Sequence, residues 1–278
     1  MPCMKARRYN VIGVNTGNSL DAADVVLTAF EDEKILDLAF TSVALPEKLK
    51  LDLRSLRECI EAHQGKVSLA IDDKRIEKRG AAIIRDYTST VASAVKSLLT
   101  KNKNQNVDAV GFHGQTCAHF PPSVARRQGA EAYTVQIGDG QQLADALGVT
   151  VVYDFRSDDI MLGGEGAPLA PVHHQHLAET TKKNGCFPIA FCNAGNTGNV
   201  SIISGSKEKT LPTLGWDNGP FNDYPDLLCR TEKGKPCDEN GALGRKGKIN
   251  PSLLRLLFDR AATTDTGENF LLDRKSVV

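Results

Sequence analysis

Three apolar runs joined by short polar turns open the chain, and strands so close in sequence pair antiparallel. Residues 9–14 read as a strand, 15–19 as a turn of Asn, Thr, Gly and Ser, and 24–30 as a second strand. Residues 35–45 read as a third, after the charged turn 31–34. A helical period follows: Ile76, Ile83, Ile84, Tyr87, Val91, Val95, Leu98 and Leu99 share one face of a long amphipathic helix predicted over 74–99. Residues 107–112 and 133–137 then read as strands, 141–147 as a short helix, and the apolar run 149–153 as a buried strand. A meander followed by alternating helices and strands predicts an α/β layer whose sheet is part antiparallel and part parallel.

The second half begins the same pattern again, with strands at 188–192, 200–203 and 211–216 and a small polar turn at 193–199. A helix is expected over 251–260. The pattern stops at Val278 before it is completed, so the expected division is a complete first lobe, 1–148, and an incomplete second lobe, 149–278.

Lys plus Arg and Asp plus Glu both number 34, so the formal net charge is zero and nothing favours nucleic acid or an anionic membrane as partner. No run of about 18 apolar residues exists to cross a membrane, and residues 1–10 lack the apolar core of a signal peptide. The seven cysteines are scattered, without a Cys-x-x-Cys pair, which points to reduced thiols and a cytoplasmic protein. Cys192, inside an apolar run, reads as a small buried hydrophobe. His173, His174 and His176 lack the spacing of a metal-ligand set and read as helix residues, so no metal-binding side chains are assigned.

Chemistry concentrates directly after the run 149–153. Residues 154–171 combine acids, an arginine and three glycines, and the end of a strand in an open α/β sheet is where ligands bind. Arg156 offers a planar five-donor fork, Asp154 and Asp159 offer acceptors, and the glycines allow close backbone approach, an inventory suited to a polyhydroxylated small molecule. Glu165 either binds a substrate group or is a solvated loop residue. In the turn Asn15-Thr16-Gly17-Asn18-Ser19-Leu20-Asp21, backbone N–H groups and hydroxyls suit a phosphate, or form an ordinary hairpin turn, and Asp21 or Asp24 suits a metal-bound phosphate. His113 and Gln115, in His113-Gly114-Gln115-Thr116, suit sugar hydroxyls, or His113 satisfies a strand end. Asp217, before Asn218-Gly219-Pro220, is either an exposed general base or the cap of a following helix.

With these segments in this order the chain resembles the anhydro-N-acetylmuramic acid kinases and their levoglucosan-kinase relatives. The family's Ser-Gly-Thr-Ser-x-Asp-Gly turn matches residues 16–22, and its His-Gly-Gln-Thr matches 113–116. Gln-Ile-Gly-Asp stands at 136–139, Asp-Phe-Arg at 154–156, and Gly-Gly-Gln-Gly-Ala-Pro-Leu matches 163–169. Asn-Ile-Gly-Gly-Ile-Ala-Asn and Asp-Thr-Gly-Pro-Gly-Asn match 193–199 and 217–222. The resemblance implies the actin-like ATPase fold, two ribonuclease-H-like lobes with a cleft between them. It also implies ATP and Mg²⁺ as cofactors and an anhydrosugar as substrate: hydrolytic opening of 1,6-anhydro-N-acetylmuramic acid with phosphorylation of O6, in cell-wall amino-sugar recycling.

On that resemblance Asp217 is the base, and Gly17, Asn18, Ser19, Leu20, Asp21, Ala22, Ala23 and Asp24 form the nucleotide-phosphate turn. The sugar would lie near His113, Gln115, Asp154, Arg156, Asp159, Gly163, Gly164, Glu165 and Ala167. Family members are often homodimers. Asn18, Ala22, Glu165 and Phe221 depart from the pattern, and a methyl at Ala22 is expected to crowd a backbone that approaches phosphate or needs positive φ. Residues 265–268 resemble a segment that stands mid-chain in the family, and the glycine-rich segment that holds adenosine is missing after it. The alternatives are a levoglucosan-type kinase, or a non-catalytic or truncated relative that keeps a sugar pocket.

Overall fold

In chain order the first unit contains β1 (Arg8–Thr16), β2 (Ala22–Glu31), β3 (Lys34–Ala44), α1 (Glu47–Ala62), α2 (Val67–Ala70), α3 (Gly80–Lys101), β4 (Ala109–Phe112), β5 (Gln115–Phe120), α4 (Pro122–Gln128), β6 (Tyr133–Ile137), α5 (Gly140–Leu147), β7 (Val151–Tyr153) and α6 (Phe155–Met161). These elements come from a computed structural model that describes residues 8–32, 34–180, 187–195, 197–205, 213–262 and 276–277. Contacts divide the chain between Gly166 and Ala167. The helix α6 and the loop after it therefore belong with the first unit, whereas the sequence suggested a boundary after residue 148.

The expected meander is present, with β1 pairing β2 and β2 pairing β3, both antiparallel. β4 joins β1 in parallel and β7 joins β4 in parallel, giving the order β3-β2-β1-β4-β7. This is the mixed sheet of a ribonuclease-H-like, actin-type lobe. Period-2 alternation puts Ile12, Val14, Val25, Leu27, Val110 and Phe112 together in one buried cluster. Ile83, Tyr87, Val91, Val95 and Leu98, spaced three and four apart along α3, complete that cluster. Each such side chain contributes about 1.5–3 kcal/mol on burial.

The helix expected over 74–99 begins later. Residues 74–76 form a separate 3₁₀ turn, and Glu77 and Lys78 take positive φ (54° and 58°), which interrupts the helix. α3 starts at Gly80, where a Cβ would overlap the backbone of Ile71. The run 149–153 is not a buried strand either. β7 is the last strand of the sheet, and Val152 and Tyr153 are 51% and 47% exposed.

The second unit holds α7 (Pro171–Thr180), β8 (Ile189–Ala194), β9 (Thr197–Ile203), β10 (Thr213–Pro220), α8 (Asp223–Lys233), α9 (Pro251–Ala262) and β11 (Ser276–Val277). Its sheet runs β11-β10-β9-β8 with every pair antiparallel. α7 packs on β9 and β10 and carries His173, His174 and His176. His174 Nδ1 lies 3.0 Å from Ser201 Oγ, and its ring stacks on Phe191 with centroids 4.7 Å apart. Cys192 is exposed on β8, not buried as its apolar neighbours suggested, while Cys59 and Cys117 of the first unit are buried.

One buried contact ties the core to the first turn. Thr16 Oγ1, on the last residue of β1, lies 2.9 Å from Tyr87 Oη on α3, and both side chains are buried. Tyr87→Phe leaves the Thr16 hydroxyl without that partner and is expected to cost about 1–3 kcal/mol in urea unfolding. Adding Thr16→Val removes both polar groups and should recover part of the loss; a double variant worse than the sum of the singles would contradict this account.

Candidate functional site

The chain turns sharply after β7. Asp154 takes a left-handed conformation (φ 62°), which Asp tolerates better than most residues, and α6 begins at the next residue. Ser157 Oγ donates to Asp154 Oδ1 at 2.6 Å. Asp154 and Ser157 thereby face a cavity of about 280 Å³ at the ends of β4 and β7, whose wall also includes His113, Gly114, Thr134 and Gln136. Gly65 and Val67, after α1, close one side. Gly65 has φ 79° and lies against the Tyr133 ring, so a Cβ there would be strained twice over.

Arg156 joins this wall to the glycine loop. Its Nε donates to His113 Nε2 at 3.0 Å and its Nη1 donates to the Gly166 carbonyl at 2.8 Å. With Nε2 accepting, the single imidazole proton sits on Nδ1, which donates to the Gly114 carbonyl at 2.9 Å. Burial, and then the neighbouring Arg156 charge, hold the His113 pKa below its ordinary 6.5. His113 is thus a neutral ring with both nitrogens committed, which suits it to fix geometry rather than to shuttle protons.

The loop is held from three directions. Gly166 N donates to Asp159 Oδ2 at 2.7 Å, and Gly164 N donates to the Asp159 carbonyl at 2.8 Å. A Cβ on Gly164 would overlap the Asp159 carboxylate, and Gly163 has φ 95°, so both positions need glycine. Glu165 Oε2 accepts from Ser123 N at 2.9 Å at the start of α4, and its Oε1 lies 3.6 Å from Arg126 Nη2. Glu165 is therefore neither a solvated loop residue nor on the cavity wall, and the acid at this position gains an ion pair. Ala167 follows the loop as the first residue of the second unit.

Gln115 is 1% exposed and does not line the cavity. Its Nε2 donates to the Thr116 carbonyl at 3.1 Å, and its Oε1 has no partner among the described residues. In the first turn, Gly17, Asn18 and Asp21 are exposed, as is Asp24 at the start of β2, and Leu20 N donates to the Gly17 carbonyl at 3.1 Å. The positive φ of the turn falls on Leu20 (62°), not on Ala22, which is extended and in register with Ala44. Leu20 and Ala23 are core side chains, 1% and 0% exposed, so they can offer a phosphate only backbone groups.

In the second unit Asp217 is exposed on β10, opposite Asn199, where the register shifts between Asp217 and Gly219. Asn222 N donates to the Gly195 carbonyl at 3.1 Å and its Nδ2 to the Ala194 carbonyl at 2.9 Å, so segments 193–199 and 217–222 come together. Phe221 packs over Gly198. Asn196 and residues 265–268 lie outside the described residues. Sequence reasoning gave no role to Gln136, although it belongs to the quoted Gln-Ile-Gly-Asp segment, and it passed over Thr134, Ser157, Gly65 and Val67. Gly65 and Val67 carry no sequence signal.

The sequence profile of the anhydro-N-acetylmuramic acid kinase family matches residues 9–267. The anhydro-N-acetylmuramic acid kinase of Vibrio cholerae is 32% identical over 251 residues, covering 90% of this chain. The chain spans 60% of the length of that relative. Among solved structures, two of the Aquifex aeolicus Ppx/GppA family are similar at 11% and 10% identity, with TM-scores of 0.35 and 0.39. They cover 92% and 91% of this chain, and 62% of each of those chains is matched.

Asp159→Ala removes the acceptor for Gly166 N and is expected to raise amide exchange at Gly164 and Gly166 while α3 stays protected; unchanged loop exchange would refute the tether. His113 binds its proton less tightly folded than unfolded. Its contribution to stability is therefore intact above pH 6.5 and is lost as the pH falls below that value. Nitrogen-15 spectra should show a neutral ring protonated on Nδ1 at pH 6.5, and an imidazolium at that pH would contradict the assignment.

Proposed function

Because the chain belongs to the anhydro-N-acetylmuramic acid kinase family, we propose that it takes part in ring opening and 6-phosphorylation of a 1,6-anhydro amino sugar, within cell-wall recycling in the cytoplasm. The observation that supports this most is the cavity at the strand ends, with Asp154, Ser157, Thr134 and Gln136 on its wall and a glycine loop fixed beside it. Its size suits a sugar ring, and its lining mixes apolar surface with a few fixed polar groups.

Water adds to the anomeric carbon as the C1–O6 bond breaks, a base takes the water proton, and O6 forms its bond to the γ-phosphorus while the bond from that phosphorus to the departing ADP breaks. Bound Mg·ATP supplies the γ-phosphoryl group. The residues present fit such a group. The backbone N–H groups of Asn18 and Ser19 meet no acceptor among the described residues, and the exposed Asp21 and Asp24 would supply the one or two carboxylates that Mg²⁺ ordinarily takes alongside phosphates. Arg156, His113 and Asp159 fix the loop and the wall rather than the reacting atoms.

Asp217 is the proposed base, an exposed carboxylate on a strand irregularity that a water can approach. A second reading has an observation of its own. Asp154 lines the cavity, and its Oδ2 meets no hydrogen-bond donor among the described residues, while Oδ1 is fixed by Ser157. Turnover of 1,6-anhydro-N-acetylmuramic acid by Mg·ATP separates the two. If Asp217 is the base, Asp217→Asn lowers kcat by about 10²–10⁴, and Asp154→Asn acts mainly on the sugar KM. The reverse pattern transfers the role to Asp154. Sugar binding without turnover in the unaltered chain favours a non-catalytic relative, and preference for levoglucosan the other kinase type.

A further inference from the structure

Gly65 and Val67 close one side of the cavity from a chain reversal at the end of α1. Gln64 and Gly65 both take positive φ there, 52° and 79°. Gln64 N donates to the Glu61 carbonyl at 2.9 Å, Gly65 N to the Ile60 carbonyl at 2.9 Å and Lys66 N to the His63 carbonyl at 3.1 Å. Left-handed backbone is uphill for a glutamine, so such a reversal keeps one shape only where its surroundings hold it. The Tyr133 ring lies against Gly65 and limits movement in one direction only.

A second restraint comes from a carboxylate further along the chain. Asp73 Oδ2 accepts from Nε2 of His63, the residue that caps α1, at 2.8 Å. A carboxylate only accepts, so that His63 nitrogen carries a proton. Asp73 is itself held. Arg75 Nε donates to Oδ1 at 3.0 Å, Arg75 Nη2 to Oδ2 at 2.7 Å and Arg75 N to Oδ1 at 2.8 Å. Its side chain is 11% exposed, and Ala70 and Ile76 on either side of it belong to the buried core cluster. The Arg75 side chain and backbone N–H, and then His63, hold the Asp73 carboxyl well below the usual carboxylate range, so it is ionised at neutral pH. Capping the 3₁₀ turn at 74–76 uses Oδ1 alone. Oδ2 is left to make a charge-assisted bond to His63, a bond the turn does not require.

We infer that His63 and Asp73 are a positioning pair for the sugar: Asp73, anchored at the core, holds through His63 the reversal that sets Gly65 and Val67 as a cavity wall. Neither residue of the pair lines the cavity itself. The inference rests on the reading of that cavity as the sugar site.

His63→Ala, His63→Gln and the exposed control Asp72→Asn test the pair by amide exchange and by turnover. Losing one charge-assisted hydrogen bond is worth about tenfold in an opening equilibrium. His63→Ala should therefore speed exchange at Gly65 and Lys66 by about tenfold while α3 stays protected. The sugar KM should rise at least about threefold, with kcat and the ATP KM unchanged. His63→Gln, whose Nε2 can donate in the same place, should restore both, and Asp72→Asn should match the unaltered chain. Unchanged exchange in His63→Ala, a sugar KM that stays put although exchange rises, or no rescue by glutamine overturns the pair. An unaltered chain that neither binds nor turns over the anhydrosugar overturns instead the sugar reading on which the inference rests, and the inference with it.

Discussion

The Arg156 guanidinium holds the first unit's site together. It reaches the end of β4 through His113 and the glycine loop through the Gly166 carbonyl, two acceptors that lie in different directions. A lysine ammonium could approach one of them as a point charge, but only a rigid fork meets both at about 3 Å. Because His113 must accept at Nε2, its tautomer follows from Arg156, and the Gly114 backbone follows from the tautomer. The orientation of one cavity wall is therefore set by a single planar group.

The loop that Arg156 grips has little freedom of its own. Asp159 fills the space that a side chain at residue 164 would occupy, and Glu165 is drawn to the start of α4. Residues chosen for their capacity to contact a ligand serve mostly to shape the surface that a ligand would meet. This is a common economy in binding sites: the groups nearest a ligand must themselves be oriented by hydrogen bonds, and charged side chains do that most strongly.

Much of this was legible in the sequence. The meander, the α3 face and the clustering of chemistry after 149–153 follow from period-2 and period-3.6 patterns and from strand-end logic. What escaped has physical reasons. α1 was passed over, although Leu49, Leu53, Leu56 and Ile60 carry a clear helical period. The start of α3 depended on a tertiary contact, Gly80 against Ile71, that no local pattern encodes. β7 looked buried because its residues are apolar, yet strand order puts it at an edge. At the site, sequence gave the residue types and their neighbourhood. It could not tell a carboxylate that faces a cavity, Asp154, from one turned onto a backbone N–H, Asp159.

Among the described residues, the exposed thiols all lie in the second unit. Burial pushes the Cys117 thiol up to about 12 and raises that of Cys59, so neither offers appreciable thiolate at neutral pH. Cys192 and Cys237 are exposed. Of the described cysteines, an alkylating dye or spin label would consequently mark Cys192 and Cys237 and leave the first unit's core untouched, a reporter that requires no engineered residue.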